Sequence, residues 1–207
     1  KHRILLLGFL ALTIPLRAQS WPMFRGDPQQ TGVFPGELSL PLEPVWIFEI
    51  EEGVLATAAL ESRVVYLGGR NGVFYALDLK TGREKWSFDG ADEIHSSALV
   101  KFGKVFFGDE RGSFFALRAS DGVKVWTFQA GAGIKSSANV QGDSIIFGSY
   151  DNFVYCLSAA NGELRWKRET GGYIHASPLV VDDTVVVTGC DGFLRLIRVA
   201  DGYEVEK

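Results

Sequence analysis

Two histidines and a lysine recur at one step: His95, Lys135 and His175 are 40 residues apart, and Leu55 lies a further 40 upstream. Each follows an aliphatic residue, Val54, Ile94, Ile134 or Ile174. Equivalent positions in a repeat fold fall on a ring about one axis, so these side chains should meet at one end of a hub. A ring of His, Lys and His offers charge to an anion or acidic ligand, and that charge varies with pH because imidazole titrates near neutrality. A solvated polar entrance without a ligand has the same pattern. Zinc is not expected, because Lys135 separates the histidines and no third ligand is visible.

Other chemistry-bearing residues are fewer. Cys156 and Cys190 are the only cysteines and lack metal-ligand spacing. They occupy different repeat positions, which leaves a disulfide open but favours two small buried thiols. Asp109, Asp151 and Asp191 recur after one strand of each repeat. They read either as a calcium loop or as Asp-initiated turns, and no spaced D-x-D-x-D-G loop is present. No catalytic residue and no metal site is assigned.

The positioning elements follow from the same step. Trp46, Trp86, Trp126 and Trp166 are 40 residues apart, as are Gly82, Gly122, Gly162 and Gly202. Gly68, Gly108 and Gly148 keep that register, and so do Gly72, Gly112 and Gly192. Of the 207 residues 24 are Gly and 13% are aromatic, a composition that favours short strands and tight turns. One unit reads as four strands: Ile94 to Val100, Lys104 to Gly108, Ser113 to Leu117 and Val123 to Phe128. Glycines between them supply the positive φ that tight hairpins demand. A period near 40 with several strands per unit indicates an all-β fold, a β-propeller of four-stranded antiparallel blades. A lone blade cannot bury both faces, so the repeats must stack.

The ends have separate roles. Lys1-His2-Arg3, the apolar run Ile4 to Ile14 and the small residues Ala18 and Ser20 have the layout of a secretory signal peptide. A membrane span needs about 20 apolar residues, and Pro15 and Arg17 end the run too early. The division is therefore 1–20 signal peptide, 21–45 lead-in and 46–207 blades, the last incomplete. The strand around Trp46 reads as a fourth strand without its first three, and the last motif stops at Lys207. About four repeats are present, and a fragment of a seven- or eight-bladed propeller is expected. The formal charge of −4 gives no footprint for nucleic acid.

The stretch Ala76-Leu-Asp78-Leu-Lys-Thr81-Gly82-Arg-Glu84-Lys-Trp86 resembles the tryptophan-docking motif A-x-D-x-x-T-G-x-E-x-W of pyrroloquinoline-quinone-like (BamB-like) propeller repeats. The second copy keeps Ala116, Gly122 and Trp126. The third keeps Gly162 and Trp166 with Cys156 at the Ala position, and the fourth has Leu196 and Glu206 in place of Ala and Trp. Trp21-Pro-Met-Phe24-Arg25-Gly26 resembles the W-P-x-F-R-G opening of exported propellers of this type. The resemblance implies structural roles for Trp86, Trp126 and Trp166. It also implies an exported, periplasmic or secreted scaffold binding protein partners through its loop face, as BamB-type outer-membrane assembly factors do. No lipobox cysteine is seen, so no membrane anchor is expected after cleavage. The alternatives are a quinoprotein dehydrogenase-like enzyme using pyrroloquinoline quinone and calcium, or a sensor or docking module of a larger protein. The adjacent cysteines of those enzymes are missing, so no cofactor is expected.

Overall fold

The computed structural model describes residues 20–34, 36 and 41–206; of the expected signal peptide, only Ser20 is among them. Four antiparallel four-stranded sheets follow one another, each built from consecutive strands. Blade 1 holds β1 (Ala59–Glu61), β2 (Val64–Gly68), β3 (Val73–Asp78) and β4 (Glu84–Asp89). Blade 2 holds β5 (Leu99–Lys101), β6 (Lys104–Gly108), β7 (Ser113–Arg118) and β8 (Lys124–Gln129). Blade 3 holds β9 (Asn139–Gln141), β10 (Ser144–Gly148), β11 (Phe153–Ser158) and β12 (Leu164–Glu169). Blade 4 holds β13 (Leu179–Val181), β14 (Thr184–Thr188), β15 (Leu194–Arg198) and β16 (Glu204–Glu206).

Two expected strands differ. The inner strand expected from Ile94 to Val100 pairs only over Leu99–Lys101. Upstream of it the backbone bonds to other blades: Ile94 N–H reaches Gly69 O of blade 1, and Ser97 N–H reaches Ser137 Oγ of blade 3. The segment around Trp46 forms no strand, because none of the described residues beside it supplies a ladder partner. Trp46 nonetheless sits on blade 1, its Nε1 donating to Leu79 O at 2.9 Å.

That contact repeats. Trp86 Nε1 donates to Ala119 O at 3.0 Å, Trp126 Nε1 to Ala159 O at 3.3 Å and Trp166 Nε1 to Val199 O at 2.7 Å. Each ring lies against the glycine of the following blade, Gly122, Gly162 or Gly202. Across the third and fourth strands Ala76 faces Trp86, Ala116 faces Trp126 and Cys156 faces Trp166. Directly opposed residues share a sheet face, so a small residue there leaves room for the indole. A register shift follows this position in all four blades and bends the outer strand.

Aromatic rings fill the wedges nearer the hub. Phe74 stacks on Phe107 at 4.3 Å between blades 1 and 2, and Phe114 on Phe147 at 4.1 Å between blades 2 and 3. Between blades 3 and 4 the core is largely aliphatic, with Val154, Ile174, Val185 and Val187. Middle strands of blades 2 and 3 are buried on both faces, whereas those of blades 1 and 4 alternate.

The lead-in straps the inner edges of the blades. Trp21 exchanges both backbone hydrogen bonds with Leu60, and Pro22 O accepts Val100 N–H of blade 2. Met23 is buried in the core between blades 2 and 3. Pro28 O accepts Asn139 Nδ2 and Val180 N–H, while Gln30 Nε2 donates to Pro178 O at 2.6 Å. Pro28 and Gln30, just past the W-P-x-F-R-G stretch, thus reach partners more than a hundred residues away, while Trp21 and Pro22 hold blades 1 and 2.

Candidate functional site

The connections into the inner strands and the turns between the second and third strands lie at one end of the blades. Here the hub opens into a cavity of about 430 Å³. His95, Lys135, His175 and Leu55 all line it. Each enters just before its blade's inner strand, so the 40-residue step becomes a ring.

The ring side chains are held by neighbours. His95 Nε2 is 3.0 Å from Glu93 Oε2, and its Nδ1 is 2.9 Å from Glu110 Oε1. The second is a close approach without hydrogen-bond alignment, since Oε1 is enclosed and has no hydrogen-bond partner among the described residues. Glu110 Oε2 lies 3.4 Å from Lys135 Nζ. His95 first, then Arg70, hold the Glu93 carboxyl below its ordinary range. Lys135 Nζ also sits 5.1 Å from the Tyr150 ring centroid. The Tyr150 hydroxyl is 2.5 Å from His175 Nδ1, and Tyr150 stacks on Tyr173 at 5.2 Å. Tyr173 is 55% exposed, so this pair forms an aromatic rim beside the mouth.

Below the ring lies a tier the sequence reading passed over. Thr57, Ser97, Ser137 and Ser177 line the same cavity, also 40 residues apart. Ser97 Oγ accepts Thr57 N–H, Ser137 Oγ accepts Ser97 N–H and Ser177 Oγ accepts Ser137 N–H, at 2.9–3.0 Å. The serine just before does different work: Ser96 Oγ both donates to Gly108 O and accepts Gly108 N–H. The strap adds Phe24, Arg25 and Gln30 to the wall. The repeated second serine is visible in the sequence at the same 40-residue step. Arg25 is marked in the sequence only as part of the W-P-x-F-R-G motif, because nothing local says that the lead-in returns to the hub.

The remaining candidates are structural in geometry. Asp109, Asp151 and Asp191 stand in separate blades, and each accepts a backbone N–H from the preceding connection, at Asp92, Gly131 and Gly171. Asp191 also pairs with buried Arg195, which holds its carboxyl well below the usual range. The cysteines are unpaired. Burial pushes the Cys156 thiol up to about 11. Cys190 is exposed rather than buried, because it stands in the turn after β14. Among the described residues no three His, Cys, Asp or Glu side chains are grouped to hold a metal. The hub donors are cationic and hydroxylic, whereas calcium needs several oxygen acceptors, so this set does not fit calcium.

The family model described as outer membrane protein assembly factor BamB matches residues 43–149 and 131–205. The chain belongs to this family. BamB from Moraxella catarrhalis superposes with a TM-score of 0.70 at 21% identity, over 78% of this chain and 54% of that one. The chain thus spans about half the length of that family member. The computationally designed Ika4 protein gives 0.70 at 18% identity, over 77% of this chain and 99% of that one. Quinohemoprotein alcohol dehydrogenase from Comamonas testosteroni gives 0.79 at 17% identity, over 92% of this chain and 41% of that one. At these identities the likeness is one of fold. No curated protein matches the chain. Among the described residues no helix is long and apolar enough to cross a membrane.

Proposed function

We propose that this chain is an exported, non-enzymatic scaffold that binds a protein partner through the face on which the hub opens, in the manner of an outer-membrane assembly factor. The observation that carries this is the stacked Tyr150–Tyr173 pair beside Lys135 and His175 at the hub mouth. Rigid aromatics flanked by charge are what binding hot spots use, and here the blades hold them in place. The basic-then-apolar N-terminal pattern supports export to the periplasm. Family membership supports a protein as the ligand. Quinone-dependent oxidation shares the fold of the dehydrogenase neighbour, but the misfit of the hub donors to calcium tells against it.

The test is photo-crosslinking in cells of the source organism. Benzoylphenylalanine at Tyr173 should trap a discrete partner, identified by mass spectrometry. Excess purified chain should compete, and the Tyr150→Ala/Tyr173→Ala variant should not. The same probe at Phe102, in the β5–β6 turn at the other end of the blades, should trap none. Equal trapping from both ends, or from neither, overturns the proposal.

A further inference from the structure

We infer that the hub cavity is a carboxylate-binding site. The case begins with unspent hydroxyl protons. Ser97, Ser137 and Ser177 each use Oγ to accept an N–H from the preceding blade, and among the described residues none of their O–H groups has an acceptor. Their neighbours Ser96 and Ser136 donate instead to Gly108 O and Ala176 O. Ser97 and Ser137 are 4% and 5% exposed, and both line the wall of the cavity. A buried donor left unmade is costly, and an oxyanion is the ligand that satisfies several at once.

Charge narrows the class. No acidic side chain lines the cavity, while Arg25 and Lys135 do. Lys135 is offset by Glu110, and Arg25 makes no ion pair among the described residues. One uncompensated cation suits a singly charged carboxylate better than a phosphate dianion. At about 430 Å³ the space exceeds a bare ion and holds a small organic acid or an acidic side chain. The carboxylate can thus be free, or belong to a Glu or Asp of a partner. The second source rests on the scaffold reading; the first stands without it.

The experiment is an amide NMR and calorimetric titration of the purified chain at constant ionic strength. The probes are acetate, glutarate, sulfate, and an end-capped peptide bearing one Glu, with its Gln counterpart. Acetate or glutarate should shift the Ser97, Thr57 and Ser137 amides, and Arg25→Gln and Lys135→Gln should each weaken binding about tenfold. Binding of the Glu peptide alone, again lost with Gln, assigns the site to a partner side chain. No binding of any carboxylate overturns the inference. So does sulfate binding as tightly as acetate, or equal affinity in the Arg25→Gln/Lys135→Gln variant. Arg25 is exposed, whereas Lys135 is half-buried against Glu110 and Tyr150, so the amide spectrum of each variant is compared with that of the parent chain first to show that the fold is kept; Ser137→Ala, which also orphans Ser97 N–H, is the secondary variant. Failure of the crosslinking with acetate binding intact would sink the scaffold reading and leave this site standing.

Discussion

Gly122→Ala isolates the contact that joins one blade to the next. Gly122 has φ +73°, and a Cβ there would lie 2.6 Å from Trp86 Cε3. Gly103 is the control, with φ +66° and nothing within 4 Å of its Cβ. Both substitutions incur the left-handed penalty, about 1–2 kcal/mol. Only Gly122→Ala must also push back an indole, since carbon atoms prefer about 3.5–4.0 Å. Trp86 has little room to retreat: it lies 5.9 Å from Tyr66 and 6.1 Å from Phe74 and donates to Ala119 O. Overpacking of this kind costs about 1–3 kcal/mol. Gly122→Ala should therefore be destabilised by about 2–5 kcal/mol, some 1–3 more than Gly103→Ala, and each kcal/mol is worth about 2–4 °C in Tm. Urea unfolding followed by tryptophan fluorescence reads the difference. Adding Trp86→Phe should remove most of the excess cost in a double-mutant cycle. Equal destabilisation at Gly103 and Gly122 would refute the docking argument.

Two further outcomes follow from the turns and ion pairs. Phe102 opens a two-residue hairpin at φ +55°, where the equivalent positions carry Ser62, Gly142 and Asp182. Phe102→Asn creates the Asn-Gly turn such hairpins favour and should raise stability by about 0.5–1 kcal/mol in urea unfolding; a loss would mean that the exposed ring packs usefully. Arg195 holds the Asp191 carboxyl far below its ordinary range, and Arg198 lowers Asp201 to about 2. Depressed carboxyl groups stabilise the fold above the unfolded value of about 3.9, and that stability is lost as pH falls toward their folded values. Unfolding midpoints should therefore drop from about pH 4 downward, and Asp191→Asn should flatten this acid limb while lowering stability at pH 7. An unchanged acid slope in the variant would contradict the pairing.

Blade boundaries were legible because a propeller repeats its turn chemistry. Gly82, Gly122, Gly162 and Gly202 mark a turn that the chain must make in every unit, and each is answered by a tryptophan 36 positions earlier in the sequence. The ring of His95, Lys135 and His175 was legible for the same reason, since equal register means equal height on the hub. Less was legible where blades or ends meet. The inner strand was expected too long, because near the hub its backbone partners belong to other blades.

By itself, then, the sequence determined what local spacing encodes: strand and turn order, the 40-residue unit and which residues share a position. Tertiary structure alone decided that the lead-in returns across the hub to bring Arg25 and Gln30 into its wall. It also decided that the second serine bonds sideways, its Oγ accepting a backbone N–H from the neighbouring blade. The physical reason is that these contacts depend on the angle and separation of packed blades, which no window of neighbouring residues contains.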